Sequence, residues 1–149
     1  MKKIMKIFFF YVILFMCLAC GGRKELNGIE VSELLLRASK EQNVDYYKLL
    51  NEAIKGNDLS IRQLALLKVY DGAGYDHGAV IVDLIERIGE NIFIKSLTNI
   101  NNEQKQWIKG SIEVGLEYGN NPNLQTQSFK EAFPRIYEFL NNVISTNYN

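Results

Sequence analysis

NEQKQWIKGSIEVGLEY, residues 102–118, is the stretch on which the fold turns. Ile108, Ile112 and Leu116 recur every fourth residue, and Trp107, Val114 and Tyr118 run beside them as a second stripe. Apolar positions three and four apart share one face of an α-helix. Two adjacent stripes predict a helix packed on more than one side. This segment is therefore expected to be the central helix, with Gly110 and Gly115 letting a neighbour approach closely.

The same period extends in both directions. Upstream, Val31, Leu34, Leu35 and Ala38 make one stripe, and Tyr46, Tyr47, Leu50, Ala53 and Ile54 the next. Asn57 or Asp58 can cap a helix running to about Val69, with Ile61, Leu64, Ala65 and Leu67 inward. Asp71–Gly74 reads as a break. Val80, Ile81, Leu84, Ile85 and Ile88 then form a face that ends at Gly89, and Phe93 and Leu97 anchor a short helical piece. Downstream, 119–124 with Pro122 is a loop. Ser128 and Glu131 have capping-box spacing and open a last helix through Phe133, Ile136, Leu140, Val143 and Ile144, which Pro134 should kink. Sustained apolar/polar alternation is nowhere evident. The expected class is all-α, with about six or seven helices in residues 29–149.

Whole-chain charge is zero, with 17 basic and 17 acidic residues. Lys2, Lys3 and Lys6 all precede Ile7–Ala19 (IFFFYVILFMCLA), an uncharged run of 13 residues. A bilayer-spanning helix needs roughly 20 apolar residues, whereas the core of a secretion signal needs roughly 7–15. Residues 1–19 therefore read as a signal peptide. Without them 14 basic residues face 17 acidic ones, and a weakly acidic domain with no basic stripe makes nucleic acid a poor partner.

Leu18-Ala19-Cys20, followed by Gly21-Gly22, resembles the end of a bacterial lipoprotein lipobox. One departure is visible: Cys17 occupies the position where such boxes usually have Leu. The resemblance covers only about the first 22 residues. It implies cleavage before Cys20, acylation of the Cys20 sulfur, and anchoring in a membrane of the cell envelope by two or more chains. It also implies a mature domain with no free thiol, and so neither a Cys-ligated metal nor a Cys nucleophile. Residues 20–28 then serve as lipidated cysteine and short tether, which keeps the domain close to the membrane.

Asp58-Leu-Ser-Ile61-Arg62-Gln-Leu-Ala65 is similar to the second helix of HEAT-type repeats, and Ile108-Lys109-Gly110-Ser111-Ile112 echoes it 47 residues later. A short HEAT-like α-solenoid and an irregular helical bundle both fit.

Tyr70–Gly78 (YDGAGYDHG) holds the only histidine, two carboxylates, two tyrosines and three glycines. A histidine beside a carboxylate is the arrangement that general acid–base catalysis needs, so His77 with Asp71 and Asp76 is the catalytic alternative, a small hydrolase or lyase. A phosphate loop is excluded, because no strand precedes the glycines and no Lys-Ser/Thr follows. The Asp spacing does not match a calcium loop, and one histidine cannot make a multi-histidine zinc site. No cofactor or metal is expected. The plainer reading is a turn, in which a glycine stops one helix and Asp76 caps the next. Tyr75, His77 and Tyr118 are candidate contact residues. Trp107 at this spacing reads as core. The function expected is that of a membrane-tethered helical module binding another envelope protein or a secreted one, in envelope assembly or toxin inhibition.

Overall fold

The computed structural model describes residues 24–142. The leader, Cys20 and the stretch 143–149, which includes Val143, Ile144 and Tyr148, lie outside the described residues. Along the chain come β1 (Lys24–Leu26), β2 (Ile29–Val31), α1 (Glu33–Glu41), α2 (Tyr46–Ile54), α3 (Asp58–Leu66), α4 (Asp71–Ile88), α5 (Glu90–Ser96), α6 (Asn102–Tyr118), α7 (Phe129–Ala132) and α8 (Pro134–Asn141). Helix accounts for 68% of the described residues, and the only sheet among them is the antiparallel β1–β2 pair. The class is all-α.

That hairpin is a departure from the expected tether over residues 20–28. Asn27 and Gly28 have φ of 51° and 84°, the two consecutive positive values of a tight two-residue turn. Lys24 pairs with Val31 and Leu26 with Ile29. Ile29 and Val31 are buried while Glu30 between them is exposed, so β2 alternates as a half-buried strand should. With three residues per strand, the alternation is too short to stand out in the sequence.

The centre of the bundle is α4 rather than α6. It touches β2, α1, α2, α5 and α6, and it buries Val80, Ile81, Val82, Leu84 and Ile85, a set too wide for one face of a helix. Repeat solenoids bring each unit against its sequence neighbours only. Here a single helix collects partners before and after it in the sequence, from β2 to α6, which is the organisation of a bundle.

α4 and α6 are the most closely packed pair, and glycine is the reason. A Cβ on Gly78 would meet the Ser111 carbonyl oxygen at 2.6 Å and the Gly115 nitrogen at 2.9 Å. A Cβ on Gly115 would run into the Gly78 carbonyl and lie 2.7 Å from Val82 Cγ2. Gly115 thus permits close approach as its position suggested. Gly110 has nothing within 4 Å of where its Cβ would be and plays no such part.

The glycines of 72–78 do not break the chain. The break falls earlier, at Leu67–Tyr70, and α4 runs through them from Asp71. A glycine inside a helix costs about 1 kcal/mol relative to alanine, but a Cβ at Gly74 would lie 2.9 Å from the Val69 carbonyl, and Gly78 makes the α6 crossing. Asp71 opens α4 at φ 54°, a left-handed value that Asp tolerates better than most side chains. Pro134 likewise splits the last helix instead of kinking it. Phe133 sits at φ −138°, ψ 68° between α7 and α8, and Pro134 takes the first position of α8, where its missing N–H costs nothing.

The caps follow the sequence closely. Asn57 Oδ1 accepts from the Ser60 N–H at 2.9 Å, Gly89 ends α4 at φ 84°, and Ser128 with Glu131 forms a complete capping box. Ile61, Leu64 and Ala65 are buried, as are Phe93, Leu97, Ile108, Ile112 and Leu116. Leu67, expected inward, is only half-buried. The HEAT-like residues tie α3 to α5: Ser96 Oγ donates to Asp58 Oδ1 at 2.9 Å, and the Arg62 guanidinium donates to the Thr98 carbonyl.

Candidate functional site

His77 is the natural starting point, and it is 1% exposed. Its Nδ1 lies 2.8 Å from the Tyr46 hydroxyl of α2, and its Nε2 lies 3.2 Å from the Leu64 carbonyl of α3. A carbonyl can only accept, so Nε2 carries the proton and Nδ1 accepts from Tyr46. Both nitrogens are thereby used. Burial lowers the imidazole pKa to about 4, against a smaller upward pull from the Leu64 carbonyl. The ring is a neutral cross-link among α2, α3 and α4.

The two carboxylates go elsewhere. Asp76 is half-buried and accepts from the Ser32 hydroxyl at the head of α1, while Asp71 is exposed at the start of α4. Asp76 does not cap a helix, because α4 has already begun. Burial, and then the nearby Asp76 charge, raise the Tyr46 phenol well above its ordinary pKa, so Tyr46 stays protonated and remains a donor to His77. His77, Asp71 and Asp76 share no cleft, and the geometry a hydrolase or lyase reading requires is absent. Among the described residues no group of three or more His, Cys, Asp or Glu side chains is placed to hold a metal ion.

Tyr75 and Tyr118 do come together. Their ring centroids are 4.8 Å apart, and the residues are 49% and 57% exposed. Tyr70 sits edge-on to Trp107 at 5.7 Å. Trp107 is half-buried, so it belongs to the edge of the core and not its middle. Its Nε1 is buried with no partner among the described residues. Of the three candidate contact residues, the two tyrosines come together on the surface, whereas His77 is buried against α2 and α3.

Two other concavities have no counterpart in the sequence pattern. One, of about 420 Å³, lies between the hairpin, α4 and the loop after α6, and contains Glu30, Asp76, Asp83 and Glu86. Asn121 Nδ2 donates to Glu86 at 2.6 Å and to Asp83 at 3.3 Å, which pins the loop there. Burial raises the Asp83 carboxyl, Asn121 opposes the rise, and Glu86 and Glu30 add to it.

The larger, of about 830 Å³, runs between α2 and α3. Leu49, Leu59, Leu66 and Leu67 give it an apolar floor, with Lys48, Glu52, Arg62 and Gln63 among the polar residues around them. Leu59 is 65% exposed, although it stands on a helix with an otherwise well-buried face. The floor rests on the His77 cross-link, since Tyr46 and Leu64 belong to the same two helices. An apolar floor with a mixed-charge rim is the composition of a peptide-binding groove. Its residues recur at helical spacing on two segments, but which of them stay uncovered depends on how those helices cross.

No family model, curated protein or solved structure matches the chain.

Proposed function

We propose that this chain is an extracytoplasmic lipoprotein, acylated at Cys20, whose helical domain binds another protein through the groove between α2 and α3. The observation that carries the binding reading is the leucine floor itself. A monomer that left a concavity of about 830 Å³ with leucines in it uncovered would tolerate an avoidable exposure of Leu59 to water. The partner is an envelope component under assembly or a secreted toxin held inactive. The His77 alternative is set aside because its imidazole is sealed between Tyr46 and Leu64.

A photo-reactive amino acid placed at Leu59 in cells tests this directly, with Glu113 on the exposed side of α6 as the control position. Ultraviolet light should give one discrete heavier species from position 59 and none from 113. An absence of adducts at 59, or the same adducts at both positions, would remove the groove from the account.

A further inference from the structure

We propose that the face bearing Leu34, Tyr70, Tyr75 and Tyr118 beds into the headgroup layer of the membrane; this rests on the acylation of Cys20 put forward above. The described chain begins at Lys24, four residues after Cys20. Four residues span at most about 14 Å. A domain held so closely must touch the bilayer with whatever surrounds Lys24.

The hairpin fixes which part that is. Lys24 pairs with Val31, and the next residue, Ser32, bonds to Asp76 near the start of α4. Leu34 lies against Gly72, where a Cβ would be 3.0 Å from Leu34 Cδ2. The hairpin turn lies at the opposite end of α4, where a Cβ on Gly28 would be 3.4 Å from Arg87 Nη1. β1 therefore runs away from the beginning of α4, and its first residue belongs to the half of the molecule that carries the tyrosines.

That half is also where apolar surface is left uncovered. Leu34, Tyr70, Tyr75 and Tyr118 are 49–65% exposed, and they are four of the six large apolar side chains left exposed among the described residues. The other two, Leu59 and Ile92, stand on α3 and α5. Tyrosine, with an apolar ring and a polar tip, suits the boundary between acyl chains and water. Glu33, Asp71 and Glu117 are exposed next to these residues. Set against the exposed Lys24 and Arg37, they leave this face with no excess of positive charge, so it gains nothing from an anionic surface and suits zwitterionic lipid.

The test uses the mature, lipidated protein in phosphatidylcholine vesicles whose acyl chains are brominated near the headgroup. Trp107 is the only tryptophan, so Trp107→Phe gives a blank background for Tyr75→Trp or, as the control, Leu59→Trp. The bromolipid should quench the indole at 75 several-fold more than the one at 59, and added phosphatidylglycerol should not increase that quenching. Equal quenching at the two positions would overturn the inference and leave the tyrosines facing water, open to a protein. Stronger quenching on adding phosphatidylglycerol would overturn the zwitterionic assignment. The mass of each sample separates the two claims: acylated protein without quenching at 75 defeats only this inference, whereas protein without acyl chains defeats the anchor and the inference together.

Discussion

Acidification should destabilise this domain through one residue, and the size of the effect follows from where that residue sits. His77 is buried, neutral and bonded through both ring nitrogens, with a pKa lowered from 6.5 to about 4. A histidine whose folded pKa is depressed contributes stability that is fully present above the unfolded value. It is lost as pH falls from 6.5 toward 4, because only the unfolded chain takes up the proton. One pKa unit corresponds to about 1.4 kcal/mol. The loss is then about 1 kcal/mol at pH 5.5 and about 3 kcal/mol by pH 4. Other shifted carboxyls do not reproduce this profile. Asp58 and Glu131 are lowered, so what they lose on acidification comes below the ordinary carboxylate range, and Asp83 is raised, so its effect has the opposite sign. Urea unfolding at pH 7, 5.5 and 4.5 gives the free energies. The single histidine also gives an unobstructed NMR titration. His77→Gln, which cannot titrate, should lower stability at pH 7 and flatten the profile between pH 6.5 and 4. An imidazole that titrates near 6.5 in the folded protein, or a wild-type stability that stays level to pH 4.5, would refute the burial and bonding assigned to His77.

The helix crossing predicts opposite outcomes at two glycines. Gly115→Ala should cost about 3 kcal/mol through overpacking against the Gly78 carbonyl and Val82, whereas Gly110→Ala should be neutral or stabilising by up to about 1 kcal/mol; thermal denaturation separates the two. Tyr47 carries a buried hydroxyl with no partner among the described residues, so Tyr47→Phe should leave the melting temperature unchanged or raise it. Ser128→Ala removes the side-chain half of the α7 capping box and should cost about 1 kcal/mol in urea unfolding.

The helices were legible because burial imposes a period, and the period survives in Ile108-Ile112-Leu116 and in Val80 through Ile85. The caps at Asn57, Gly89 and Ser128 were legible because the groups they satisfy are only a few residues away. What escaped the sequence was set by contacts between distant residues. Gly72 and Gly74 look like helix breakers until Leu34 is found against Gly72 and the Val69 carbonyl against Gly74. His77 looks available for chemistry until Tyr46, 31 residues earlier, is found on its Nδ1. Pro134 begins a helix because Phe133 leaves helical geometry just before it. Asn27-Gly28 is a strong local turn signal, but its flanking strands are too short to show alternation. The pairing of Tyr75 with Tyr118 and the leucine groove both arise from how helices cross, and that is a tertiary property.

The proposed anchor at Cys20 would determine where the groove and the tyrosine face operate, and intact mass spectrometry of the protein recovered from bacterial membranes tests it most directly. The account predicts a chain beginning at Cys20 and heavier than that sequence by a diacylglyceryl group, with or without an additional acyl chain. A species that retains Met1–Ala19, or one that begins at Cys20 with its sulfur unmodified, would contradict it.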